Sequence, residues 1–268
     1  MTRPRIVLSS RELFPFGGGG IGTYVAETAQ LLAPVADVTV VTASWHEDRY
    51  RELAAQGDPR VAYGGAEVAF VAVPEPADYG GFHAHMHLYG QRVLARVREL
   101  FGARGPELIE LPDYLGEGFV ATQAARAGDP FLASTVVVLR LHTTAEMIEV
   151  LNGHLPQELE GRISRDLERR ALRDADVLLE AGGDILGTYA RFYDGELAPA
   201  RRVRHPMPWP GVLPARPTGD GPLRLLYVGR CERRKGVQDL LDALTSLPGD
   251  WQLTVLGDDT PTAPLGGS

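Results

Sequence analysis

Two stretches of the chain combine residue types that could hold a phosphate. The first is Phe16-Gly17-Gly18-Gly19-Gly20-Ile21-Gly22. Glycines let the backbone approach a ligand closely and turn its N–H groups toward an anion at the start of a helix. The second is Gly229-Arg230-Cys231-Glu232-Arg233-Arg234-Lys235-Gly236, set between an apolar run and an amphipathic one. Gly229 permits a tight exit from a strand. Arg230 and Lys235 then stand at the strand's carboxyl end, where open α/β sheets bind ligands. Two cations beside a helix N-terminus suit a diphosphate. The stretch is not a P-loop, because Lys235 is followed by Gly236 rather than Ser or Thr. Of 27 basic residues, Lys235 is the one lysine.

The first loop also spells G-x-G-x-x-G at Gly17, Gly19 and Gly22, the pattern of nicotinamide and flavin enzymes. Two features oppose that reading. Six residues, 11–16, separate the strand from the first glycine, where a dinucleotide fold turns at once. The second strand ends Val41-Thr42-Ala43-Ser44 with no acid to bind ribose, and Glu47 and Asp48 come too late. An NAD-linked oxidoreductase is thus the weaker alternative. A diphosphate or sugar approached by bare backbone fits better, beside the plain reading of a loop with no ligand.

These loops need elements to position them. Short β-branched runs alternate with amphipathic stretches, the pattern of βαβ units around a parallel sheet. Strands are expected at 5–10, 37–42, 68–73, 108–111, 135–142 and 177–181. Helices are expected at 21–32, 85–101, 116–127, 156–174 and 184–193. The 135–142 run is nearly continuous and apolar, as in a strand buried on both faces. Six prolines then crowd residues 206–222, a stiff linker. Beyond it the pattern restarts with a strand at 223–228, a helix at 237–247 and a strand at 252–256. The expected organisation is a Rossmann-like domain over 1–205, the linker, and a partial second Rossmann-like domain over 223–268. Two parallel strands cannot bury both faces of a sheet, so this second part reads as an incomplete folding unit.

Composition bounds the partners. A net charge of -8 argues against non-specific binding to nucleic acid or to an anionic membrane. No apolar run, that near residues 135–139 included, is long enough for a bilayer. The start of the chain has only Ile6-Val7-Leu8 as an apolar core and does not read as a signal peptide. A single cysteine, Cys231, excludes an internal disulfide and fits a cytoplasmic chain.

On the strand–Gly229-Arg230…Lys235-Gly236–helix motif, the sequence resembles the family 4 glycosyltransferases of the GT-B fold, which are retaining enzymes. Their N-terminal P-x-x-G-G-[apolar]-G loop is similar to residues 15–22 here, with two additional glycines. Their first domain carries an acidic segment like Glu110-Leu111-Pro112-Asp113-Tyr114 and a histidine ending a buried strand, like His142. The likeness runs in order through the whole chain. It implies a GT-B architecture and transfer of a glycosyl group from a nucleotide-diphosphate sugar to an acceptor hydroxyl. Arg230 and Lys235 would bind the diphosphate, with Gly229 at the strand exit. The loop glycines Gly18, Gly19 and Gly20 would add backbone donors, and His142 would lie near the reacting sugar. Glu110, Asp113 and Tyr114 are acceptor-side candidates, with Glu117 nearby. The three carboxylates read equally as solvated loop and helix-start groups. No metal or other cofactor is then required.

In that family the donor domain also supplies E-x7-E, which holds donor sugar and ribose. Here Glu67 with Glu75, Glu99 with Glu107, and Glu160 with Glu168 match literally but precede the linker, and no glutamate follows Glu232. The expectation is a transferase lacking part of its donor site. A non-catalytic paralogue that assists another enzyme is the alternative, followed by a GT-B enzyme that phosphorolyses or epimerises sugars. Two signals are weaker. His83, His85 and His87 could hold a metal if His83 and His87 share a helix face, but surface histidines are commoner. The arginine-rich stretch 162–173 reads as a solvated helix face, because acids interleave with its arginines.

Overall fold

Runs of Val, Ile and Leu at the spacing read above form one parallel sheet. The computed structural model describes residues 2–17, 19–79, 85–154, 158–207, 211 and 221–258. Seven strands make up the main sheet: β1 (Arg5–Ser9), β2 (Asp37–Ala43), β3 (Glu67–Val71), β4 (Leu108–Pro112), β5 (Val136–Arg140), β6 (Val177–Glu180) and β7 (Ala200–Arg202). Their order is β3-β2-β1-β4-β5-β6-β7, parallel throughout. The helices among them are α1 (Gly20–Leu32), α2 (Glu47–Ala55), α3 (Pro76–Tyr79), α4 (His85–Phe101), α5 (Phe119–Arg126), α6 (Ala145–Leu151), α7 (Leu159–Asp174) and α8 (Ile185–Phe192). The central strands β1, β2, β4 and β5 are sealed on both faces; Val7, Val40, Ile109, Val137 and Leu139 are buried.

Strand order reverses direction between β1 and β4. Chain segments leaving their carboxyl ends diverge there and leave a crevice, the usual ligand position in such a sheet. The glycine loop follows β1, the acidic segment follows β4, and His142 follows β5, so topology gathers three of the sequence candidates at one end.

The remaining strands, β8 (Leu223–Val228) and β9 (Trp251–Leu256), pair in parallel as a separate two-stranded sheet with α9 (Val237–Thr245) between them in the chain. The outward side chains of this sheet stay open among the described residues: Leu226 is 65% exposed, Val228 67% and Leu256 61%. The chain divides into two compact units, Met1–Ala145 with Gln157–Pro208, and Glu146–Pro156 with Trp209–Ser268. This differs from the sequence division in one respect: residues 146–156 cluster with the second unit. A hydrogen bond accounts for part of that, since Asn152 Oδ1 accepts the Arg234 backbone N–H at 3.1 Å. Much of the proline-rich stretch lies outside the described residues. No described helix is long and apolar enough to cross a membrane.

Candidate functional site

Within the first unit the glycine loop starts α1, as its composition requires. Its glycines serve different ends. A Cβ on Gly22 would meet the backbone N of Leu13 at 3.0 Å and of Phe14 at 3.1 Å, so this glycine is needed for packing of the loop on its own helix. A Cβ on Gly20 would meet nothing within 4 Å, and one on Gly19 only the Glu12 carboxylate, at 3.8 Å. That side of the loop is open to a ligand. The Gly19 N–H is already engaged, because it donates to Glu12 Oε2 at 2.7 Å. Gly18 lies outside the described residues.

Beneath the crevice is a buried polar cluster built on Arg140, the last residue of β5. Its side chain is 2% exposed in the sheet core. Nε lies 3.4 Å from Glu110 Oε1 on neighbouring β4, and one terminal nitrogen donates to the Val203 carbonyl at 2.6 Å. The Tyr24 hydroxyl from α1 donates to the same Glu110 oxygen at 2.5 Å, and the guanidinium sits 4.6 Å from the Tyr24 ring centroid. Burial first, and the Glu110 charge second, push the Tyr24 hydroxyl well above the usual tyrosine range.

His142 caps this cluster. Its ring lies 5.2 Å from the Tyr24 ring and 5.4 Å from that of His205. Desolvation, then the neighbouring His205 and Arg140, lower its pKa to about 3. His142 is therefore held as the neutral imidazole, able to donate one hydrogen bond and accept another but not to serve as a cation. The His205 imidazole is likewise lowered by burial and by Arg140.

Asp113 is fully buried. It accepts the His142 N–H on Oδ1 at 3.1 Å and the Tyr189 hydroxyl on Oδ2, fastening the exits of β4 and β5 to α8. Burial raises its carboxyl to about 6. Glu110, Asp113 and Glu117 are all sequestered, so the solvated reading of these carboxylates is replaced. The loop after β4 turns back under α7, where Glu168 accepts the N–H of Leu115 at 2.7 Å. Tyr114 and Glu117 line an open pocket of about 280 Å³, together with Arg11, Glu12, Phe16, Gly17, Trp45 and His46. Those residues come from the loops after β2, β1 and β4, three neighbouring strands.

Glu117 is 4% exposed and accepts the Arg11 N–H on Oε2 at 3.0 Å. Burial, only partly offset by Arg11, raises its carboxyl from 4.5 to about 8. The folded chain therefore holds this proton more tightly than the unfolded one. Its contribution to stability is full below about pH 4.5, falls as pH rises toward 8, and levels off above. Asp113 acts in the same sense over a lower window, from 3.8 to about 6. Urea unfolding is expected to show a lower midpoint at pH 8 than at pH 5, with a smaller drop in Glu117→Gln; an unchanged drop would remove Glu117 as its cause.

In the second unit, β8 exits into Gly229 at φ +152°, and a 3-10 turn over Arg233–Lys235 leads through left-handed Gly236 into α9. Arg230 and Lys235 flank this exit and are exposed. Between them sits the buried carboxylate of Glu232, with Oε1 2.7 Å from Arg230 Nε and Oε2 2.7 Å from Arg234 Nε. The Arg234 contact is an ion pair without hydrogen-bond alignment. The Lys235 ammonium is held below the usual lysine range by desolvation and by Arg234 and Arg230, with Glu232 opposing. Four cations on one short loop, with a single buried carboxylate among them, leave it a surplus of positive charge that would suit an anion.

Sequence reasoning missed Tyr24, Arg140, His205, Glu232 and Asn152. Arg140 carried a signal, being a lone charge at the end of an apolar run; the others came from distant segments with none. Of the three histidines weighed for metal, His83 is outside the described residues. His85 pairs with Glu160, and His87 lies 3.4 Å from Gln91 Nε2. Among the described residues no group of three or more His, Cys, Asp or Glu could hold a metal.

A family model described as "Glycosyl transferase 4-like domain" matches residues 19–204. No curated protein matches the chain in sequence. Among solved structures, sucrose-phosphate synthase from Thermosynechococcus elongatus is similar with a TM-score of 0.59 at 19% identity over 97% of this chain. The lipopolysaccharide outer core galactosyltransferase WaaB is similar with a TM-score of 0.54 at 17% identity over 96% of this chain. The chain spans 63% and 62% of those two proteins, under two thirds of their length. At such identities the likeness shows the fold, an α/β arrangement of the GT-B type.

Proposed function

The chain belongs to the family of glycosyl transferase 4-like domains, and from that premise we propose that it moves a glycosyl group from a nucleotide-diphosphate sugar to an acceptor hydroxyl. The observation that carries this reading is the loop from Gly229 to Gly236, which sets Arg230 and Lys235 at the carboxyl end of a parallel strand and the start of α9. As a glycosidic bond breaks, negative charge grows on the departing phosphate and positive character on the sugar. Fixed cations at the phosphate stabilise that state more than the ground state. The resemblance adds retention of anomeric configuration, backbone donors from Gly19 and Gly20, and His142 beside the reacting sugar. As a neutral imidazole, His142 would serve there as a hydrogen-bond partner. No step in this scheme calls on a metal.

The test is incubation with a panel of radiolabelled nucleotide-diphosphate sugars, following label transferred to acceptor or water. Release from one sugar nucleotide above the uncatalysed rate supports the reading. Quenching of bound NADH fluorescence, with no competition from any sugar nucleotide, would point to the oxidoreductase instead.

Glu12 gives a sharper expectation. Its carboxylate already holds the Gly19 N–H, so a phosphate taken up by this loop would have to displace it and would meet its negative charge. Glu12→Gln is expected to tighten nucleoside diphosphate binding about fivefold, by relieving one partly screened repulsion. Calorimetry showing weaker binding would mean that Glu12 helps to shape the loop for the ligand.

A further inference from the structure

We propose that the pocket between the loops after β2, β1 and β4 binds the acceptor as an uncharged ring bearing hydroxyl groups, with Glu117 Oε1 as its hydrogen-bond partner. Naming the ring as acceptor rests on the glycosyl-transfer reading; the pocket's preference for such a ring does not.

The wall is part aromatic and part polar. Phe16, Trp45 and Tyr114 offer ring surface, the usual support for the apolar face of a sugar or for a phenol, and a few convergent polar groups fix orientation. Trp45 is 53% exposed, and its indole N–H lies 2.8 Å from His46 Nε2. That nitrogen is also 3.0 Å from the Arg11 carbonyl. The wall's full charges offset one another. Arg11 is positive, but its guanidinium stands 5.2 Å from the Trp45 ring and points one nitrogen at Met86 Sδ, 2.7 Å away. Glu12 is negative. Burial pulls the His46 imidazole down and pushes the Glu117 carboxyl up, disfavouring the charged form of each. An anionic ligand finds no surplus of positive charge here.

Glu117 supplies the ligand-directed group. Its Oε2 is fixed by the Arg11 N–H. Oε1 has no hydrogen-bond partner among the described residues, yet it is not one of the sealed, unpartnered atoms of the interior, and the side chain lines the pocket. A buried carboxyl with one oxygen satisfied and the other without a partner is costly unless a ligand completes it.

The test uses the whole chain without nucleotide, with binding followed by calorimetry. The probes are maltose as a neutral sugar, catechol as a neutral phenol, and glucose 6-phosphate as an anionic sugar. Maltose or catechol is expected to bind more tightly than glucose 6-phosphate, and whichever of the two binds identifies the kind of ring. Glu117→Leu is expected to weaken that binding about tenfold, the loss of one well-placed hydrogen bond, and Glu117→Gln less than about threefold. Should Glu117→Leu fail to fold, Trp45→Ala, a change at an exposed residue, is expected to weaken binding about fivefold. Preference for glucose 6-phosphate, binding of none of the three probes, or a neutral probe indifferent to these substitutions would overturn the proposal. Probe binding in a chain that releases no sugar from any nucleotide would refute the transferase reading and leave the pocket's preference standing.

Discussion

Replacing Lys235 by alanine is expected to lower kcat/KM for glycosyl transfer about 100-fold, or roughly 2.7 kcal/mol of transition-state stabilisation. The size follows from the contact expected. A charge-assisted hydrogen bond contributes about 1.5–3 kcal/mol, and in the proposed transfer it would strengthen as charge develops on the departing diphosphate, so the loss should fall on kcat more than on KM. Lys235 is the one lysine in a chain that otherwise uses arginine. It also lacks the tether that Arg230 has, since Arg230 Nε already lies 2.7 Å from Glu232 Oε1. Lys235→Arg keeps the charge but changes reach and geometry, and is expected to recover only part of the loss. A change of under about threefold in Lys235→Ala would remove this residue from the chemistry.

Replacing Arg140 by leucine is expected to cost about 3–5 kcal/mol of folding stability, because it strands the Glu110 carboxylate in the core. The Arg140 guanidinium also holds the Val203 carbonyl at 2.6 Å and faces the Tyr24 ring, so the exits of β5 and β7 and the start of α1 should loosen together. The double variant Arg140→Leu with Glu110→Leu removes both charges and is expected to be more stable than the single one. Urea denaturation measures this directly through the midpoint. A single-variant loss under about 1 kcal/mol would show that Glu110 does not depend on Arg140 for a partner.

The elements of the sheet were largely legible because their signals are local. The apolar run at 135–142 contains β5, and the 3.6-residue periodicity at 85–101 gives α4 with both ends as expected. What escaped the reading depends on partners far away in sequence. The short β7 (Ala200–Arg202) has no apolar pattern of its own and forms because Ala200 and Arg201 pair with Leu178 and Leu179. Helix α2 follows Trp45 and His46 with a strongly polar sequence in which only Leu53 is buried, so its periodicity is faint. At the site, the residue types near Gly19, Asp113, His142 and Lys235 were visible, but their environments were not. Whether a carboxylate such as Glu117 is solvated or sealed is decided by the elements that close over it. The same holds for Asp113, whose two oxygens are taken by the N–H of His142 and the hydroxyl of Tyr189, 29 and 76 residues away.

The central claim is that Arg230 and Lys235 hold the diphosphate of a sugar nucleotide, and equilibrium titration of the protein with UDP, GDP, ADP and CDP tests it most directly. One of the four is expected to bind in preference to its monophosphate, with affinity falling at least about tenfold in Lys235→Ala, as the loss of one charge-assisted contact requires. Binding of none of the four, or equal binding by the wild-type chain and Lys235→Ala, would contradict it.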